Sequence, residues 1–206
     1  MHARSTTFRD RPEALDHGIA VVRDEVMPAL LALPGCVGLS MLADRTSGTC
    51  IVTTAWEDER AMRASADLVV PLRLRAQQHF GAVPAVHSWE IGLLHRAHAT
   101  GAGARARVTW MRMPRRLVGA HVEAFRSVLL PRAEALPGFC SASLLVDRLT
   151  GRAVLAVVYD SAEALAASRE QAAALRTDVV RRLSSELLDV AELDVALAHL
   201  RVPETV

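Results

Sequence analysis

The chain has 206 residues, of which 51% are hydrophobic and 23% charged, with a formal net charge of +1 at pH 7. That is a globular composition rather than a disordered one. A near-neutral balance gives no reason to expect nucleic acid, whose binders gather positive charge on one face. All 24 basic residues are Arg, with neither Lys nor Asn in the chain, so a Lys Schiff base or an Asn amide is excluded from any mechanism. Three cysteines (Cys36, Cys50 and Cys140) show no metal-type spacing, and their odd number fits no disulfide framework. The N-terminus is charged from Arg4 to Arg11 without an apolar signal core, and no uncharged run nears the ~20 residues of a membrane span. The expected setting is cytoplasmic, without a membrane partner.

Taken in chain order, each half predicts strand, helix, strand, strand, helix, strand. After a first strand at Ser5–Phe8, Leu15, Ile19, Val22, Val26, Leu30 and Leu33 recur at three- and four-residue spacing and make one apolar helix stripe. Pro28 predicts a bend late in this helix, and Pro34-Gly35 stops it. Two strands follow at Val37–Asp44 and Thr49–Trp56, joined by a tight turn at Gly48. Asp58 stands where an N-cap belongs and opens a helix to about residue 80, interrupted by Pro71. A last strand spans Val86–His95. The stretch 97–105 is rich in Gly and Ala and reads as a linker.

The second half then repeats the first at a constant offset of 103, from Leu33-Pro34-Gly35 to Leu136-Pro137-Gly138 and from Asp44-Arg45-Thr46-Ser47-Gly48 to Asp147-Arg148-Leu149-Thr150-Gly151. The helix stripe returns as Val118, Val122, Phe125, Leu129, Ala133 and Leu136, with Pro131 late in its course. Ser161 is the second N-cap, opening an uninterrupted helix to about 188, and the final strand is Val190–Arg201. A repeat this long is a small domain, so the expected organisation is 1–96, a linker at 97–105, and 106–206. The third strands, Cys50–Ala55 and Ala153–Val158, lack a polar face and need cover on both sides. The expected fold is therefore α+β: two ferredoxin-like βαββαβ units whose sheets face each other about a pseudo-two-fold axis, a pseudo-dimer within one chain, with further homo-oligomerisation open.

At Trp56-Glu57-Asp58-Glu59-Arg60-Ala61-Met62-Arg63-Ala64-Ser65, with Leu-Pro-Gly before the second strand, the sequence resembles the antibiotic biosynthesis monooxygenase (ABM) superfamily of dimeric α+β barrels. Tyr159–Ser168 repeats the pattern. The resemblance implies a cofactor-independent monooxygenase acting on a planar aromatic, polyketide-like molecule. The alternatives are a non-catalytic small-molecule-binding or scaffolding barrel and, third, haem binding or degradation. The oxygenases of this superfamily use an Asn four residues before the strand-ending Trp, where this chain has Val52, and Leu155 in the repeat. The haem branch implies an Asn on the first strand, which Ser5-Thr6-Thr7-Phe8 lacks.

Trp56, able to stack on a planar substrate or to fill a core, and His79, a possible general base, are the catalytic candidates. His87 and Trp89 share a strand face and are the substrate-binding candidates. His95 and His98 make at most two ligands, so no metal is expected, and no cofactor. Five of the eight histidines and two of the three tryptophans fall within 1–96, which places the expected pocket in the first half.

Overall fold

The computed structural model describes residues 1–9, 11–80 and 83–200. Its strands are β1 (His2–Arg9), β2 (Cys36–Asp44), β3 (Thr49–Trp56), β4 (Ala85–Arg96), β5 (Arg105–Arg112), β6 (Phe139–Val146), β7 (Arg152–Tyr159) and β8 (Glu186–Leu200). Hydrogen-bonded neighbours follow the order β1-β3-β2-β8-β5-β7-β6-β4 of a closed barrel. The fold is α+β, with the element order expected of two βαββαβ repeats. Arg201, placed at the end of the last strand by its sequence, lies outside the described residues.

Two compact units result: Met1–Trp89 with the described residues from Asp194 on, and Glu90–Leu193. They differ from the two repeats because β4 and β8 are each divided between units. In the first unit, β1 pairs with β3 from His2↔Trp56 to Arg9↔Thr49, and β2 lies on the other side of β3. The end of β8 adds to β2, from Gly38↔Leu200 to Ala43↔Asp194. In the second unit, β5 pairs with β7, β7 with β6, and the end of β4 adds to β6 from Glu90↔Val146 to Arg96↔Ser141.

The apolar stripes do what their spacing predicts. Leu15, Val22, Val26 and Leu30 are buried in the first unit's core, as are Val118, Val122 and Phe125 in the second's, with Leu129 and Ala133 partly buried against it. The late prolines act through a π-helical turn. Leu15–Val21 continues through Val22–Val26 into Met27–Leu31, and the Met27 N–H reaches back to the Val22 carbonyl. Val118–Ala124, Phe125–Leu129 and Leu130–Glu134 repeat the arrangement around Pro131. A widened turn absorbs the ring that would otherwise strike the preceding carbonyls. Gly35 and Gly138, at φ +74° and +72°, then reverse the chain. A Cβ on either would also overlap the next helix, at Ala61 or Ala164, so only Gly serves there.

Asp58 and Ser161 cap as expected, accepting from the Ala61 and Ala164 N–H groups. The helices they open differ from the prediction. The first breaks at Ser65, into Glu59–Ala64 and Ala66–Phe80, and runs through Pro71 without interruption. The second breaks equivalently at Ser168, into Ala162–Ala167 and Arg169–Leu183. Side chains take the carbonyl at each break: the Ser65 and Ser168 hydroxyls donate to the Met62 and Leu165 carbonyls at 2.8 Å, and arginines of the neighbouring strands donate to them as well. Arg4 Nη2 donates to the Met62 carbonyl at 2.7 Å, and Arg107 Nη2 to the Leu165 carbonyl at 2.8 Å. Those carbonyls would otherwise accept from residues 66 and 169 to continue one helix.

Candidate functional site

On β5, alternation turns Arg107, Thr109 and Met111 to one face. Arg107 is buried there, its side chain 4% exposed. Its guanidinium donates to Ser168 Oγ (2.9 Å), the Leu165 carbonyl (2.8 Å) and Glu192 Oε1 (2.9 Å), with Tyr159 Oη at 3.5 Å. Its carbon centre lies 5.6 Å from the Tyr159 ring centroid. Glu192 also accepts from Arg169 at 2.7 Å. Hydrogen bonds from Arg169 and then Arg107 hold the Glu192 carboxyl below the usual range, against the opposing effect of burial. Arg107 is thus saturated, with its charge met by a carboxylate.

Beside it is a cavity of about 70 Å³, with Met111, Phe125, Leu129, Leu155 and Val179 among its apolar walls and Arg107, Arg176, Thr109 and Tyr159 as its polar groups. Arg176, on the helix Arg169–Leu183, makes no hydrogen bond or ion pair among the described residues. Burial, and then the nearby Arg107 charge, lower its pKa from the ordinary arginine value, yet arginine stays charged. The site therefore offers a mostly apolar space with one half-buried cation facing it.

This cavity lies in the second repeat, whereas the sequence directs attention to the first. Where the second repeat has Tyr159, Ala133 and Ala172 lining the cavity, the first has the larger Trp56, Leu30 and Val69, all buried. Phe8 and Phe80 stack there at 4.8 Å, and a Cβ on Gly18 would overlap Phe80. Phe8, Phe80 and Trp56 all belong to the first unit's core.

Trp56 is fully buried at the end of β3, its Nε1 donating to Thr54 Oγ1 at 3.0 Å and its ring 5.8 Å from the Arg4 guanidinium. His79 pairs with His17, nitrogen to nitrogen at 2.9 Å. No hydrogen bond or ring contact joins His79 to Trp56 among the described residues. The shared strand face does bring His87 and Trp89 together, their ring centroids 5.8 Å apart. Trp89 is buried, donating to Ser5 Oγ at 2.8 Å, while His87 is exposed. No group of three or more His, Cys, Asp or Glu is placed to hold a metal among the described residues, and no helix there is long and apolar enough to cross a membrane.

The arginines went unnoticed in the sequence reading, although a signal was present. Arg4 returns as Arg107, Arg73 as Arg176 and Ser65 as Ser168, all at the repeat offset. Charged residues kept at equivalent positions inside otherwise apolar elements mark something the fold or the site uses.

The α+β fold is one that this chain shares with solved ABM-like proteins. Among solved structures, a candidate monooxygenase from Fusobacterium nucleatum superposes with a TM-score of 0.73 at 12% identity, covering 97% of this chain and 94% of that one. An anthrone oxidase-like protein gives 0.65 at 14% identity, covering 98% and 91%. A Listeria monocytogenes ferredoxin-fold protein related to antibiotic biosynthesis monooxygenases gives 0.52 at 9%, covering 98% and 95%. No family model matches the sequence. Two Mycobacterium tuberculosis proteins do match along all of this chain at 50% identity: the uncharacterized proteins Rv2557, of which 92% is covered, and Rv2558, of which 88% is covered. The chain belongs to the family of these two mycobacterial proteins.

Proposed function

We propose that this chain is a small-molecule-binding member of the ABM-like barrels, taking a compact acid, apolar apart from its anionic group, into the second unit's cavity. The observation that carries this reading is Arg176. It lines an apolar space with no hydrogen bond or ion pair of its own among the described residues, only the longer-range pull of Glu192 and Tyr159, beside an Arg107 whose donors are already occupied. An anionic carboxylate or phenolate would pair with Arg176 and leave its ring or chain against Met111, Leu155 and Val179. At about 70 Å³, the cavity suits a single ring better than a polycycle, since drug-sized ligands occupy roughly 300 Å³ or more.

Cofactor-independent oxidation of a phenol is a second reading, favoured by the fold shared with the anthrone oxidase-like protein. Arg176 would then stabilise the phenolate. Val52 and Leu155 at the Asn positions, and a cavity lining without a carboxylate or histidine, favour binding over chemistry.

Tyr159 is the sole tyrosine, so its ring signals report on this cavity alone. Benzoate should shift them saturably, and Arg176→Gln should weaken that binding by roughly tenfold or more. Tyr159 signals unmoved by benzoate, salicylate or an anthrone at millimolar concentration would overturn the binding reading. Quinone formed from the anthrone above the spontaneous rate would favour the oxygenase.

A further inference from the structure

The first unit holds a second arginine cluster that no carboxylate pairs with among the described residues. On β1, His2, Arg4 and Thr6 face the same way by alternation. Arg4 is 7% exposed. Its guanidinium donates to Ser65 Oγ at 3.2 Å and to the Met62 carbonyl at 2.7 Å, both neutral acceptors. Two contacts leave donors over from the five N–H groups of an arginine.

In the second unit the equivalent Arg107 has Glu192, itself held by Arg169. The first repeat has Ser88 where Glu192 would fall and Ala66 where Arg169 would fall, so the carboxylate and its outer support are both missing. Arg73, at the position equivalent to Arg176, is half-buried, and its Nε is buried without a hydrogen-bond partner. So is His2 Nδ1. No ion pair reaches Arg4 or Arg73 among the described residues. Burial lowers the Arg4 pKa, and the nearby Arg73 charge lowers it further, as expected of two cations in one partly desolvated place.

A buried cation without a counter-charge is costly. The repeat shows how this scaffold meets that cost when it has the residue to do so. Arg4 secures β1 to the helix break through neutral acceptors, and the Trp56 ring 5.8 Å away meets its charge only in part; Arg107 has the same ring contact, to Tyr159, and a carboxylate besides.

We propose that the first unit binds a small oxyanion, a carboxylate or phosphate group, at Arg4 and Arg73, in the role that the Glu192 carboxylate plays at Arg107. Paired guanidinium forks suit the planar, multidentate recognition of such groups. The apolar space beside them is occupied by Phe8, Phe80 and Trp56, so the anionic group itself is what is recognised. This site stands independently of the second unit's ligand.

The test uses the full chain at constant ionic strength, exchanging chloride for inorganic phosphate in one series and acetate in another. Arginine Nε–H resonances and the melting temperature are followed in wild type, Arg73→Gln, Ser88→Glu and Arg176→Gln. In wild type and Arg176→Gln, the Arg4 signal should move saturably with at least one of the two anions, and the melting temperature should rise as the site fills. Arg73→Gln should weaken the response at least tenfold. Ser88→Glu supplies the missing carboxylate in cis, so it should abolish the response and raise the melting temperature without added anion. Saturation by phosphate alone, acetate alone or both would support the site and define its preference. Arg4 signals that do not move, or that move linearly and equally in wild type and Arg73→Gln, would overturn it.

Discussion

The two units begin from one plan and resolve the same problem differently. Each sends an arginine from its first strand into a helix break, to the Met62 or Leu165 carbonyl and the hydroxyl of Ser65 or Ser168. In the second unit Glu192 neutralises that arginine, and smaller side chains leave a cavity. In the first unit no carboxylate pairs with Arg4 among the described residues, and Trp56, Leu30, Phe8 and Phe80 are packed into the apolar core. The arginine is therefore part of the scaffold, while the carboxylate and the cavity are what vary. After duplication, a shared structural tie can persist as the space beside it is specialised separately in each copy.

The sharpest way to break the comparison is to remove the strand that completes the first unit. A chain ending at Leu193 lacks the part of β8 that pairs with β2 from Ala43↔Asp194 to Gly38↔Leu200, leaving an apolar strand edge open. It should aggregate or self-associate in sedimentation experiments. A stable monomer would show that the first unit does not need this strand.

Trp56→Ala should come next, at about 3–5 kcal/mol of unfolding free energy, because the side chain is fully buried. Trp56→Tyr, which installs the second repeat's residue, should cost less than about half of that. The reciprocal Tyr159→Trp should change stability little and weaken benzoate binding, because it fills the cavity. A denaturant series on the three variants orders these effects.

Glu192→Gln should cost roughly 2 kcal/mol at pH 7, less than the ~3–5 of a fully buried pair, because the Glu192 side chain is 30% exposed. Its pH dependence has a definite sign. The Glu192 pKa is lowered in the folded state, so its contribution is fully present above the unfolded glutamate value of ~4.3. It is lost as pH falls through the folded value. The stability gap between wild type and Glu192→Gln should therefore be constant near neutrality and narrow below about pH 4. A gap that widens in acid would contradict the assignment.

The smallest effect belongs to His79. Its bond to His17 is exposed, so His79→Gln should alter stability by less than about 0.5 kcal/mol and leave benzoate binding unchanged.

Much of the fold was legible because periodicity and the internal repeat reinforce one another. Leu15 to Leu33 and Val118 to Leu136 name the same buried stripe twice, and Gly35, Gly48, Asp58 and Ser161 act locally as their chemistry dictates. What was not legible depended on contacts far apart in sequence. A helix ends at Ser65 because Arg4 and the Ser65 hydroxyl take the Met62 carbonyl, while the local rule pointed to Pro71. Likewise, the exchange of strand ends between units is written in the lengths of β4 and β8, which no turn signal marks. For the site, aromatic and histidine content directs attention to the first half, where Trp56 and Trp89 are buried, and large side chains fill space as readily as they line it. Smaller residues such as Ala133 and Ala172 open the cavity, and small residues carry little signal in a chain this rich in alanine.

The central claim, that the two units share a tie but only the second takes an apolar ligand, is tested most directly by methyl-resolved NMR of the full chain titrated with benzoate. The account predicts saturable shifts at the Met111, Leu155 and Val179 methyls and none at the first-unit core methyls of Val52, Leu30 and Val26, which stand where the second repeat has Leu155, Ala133 and Leu129. Shifts confined to the first-unit methyls, or equal in both units, would contradict it.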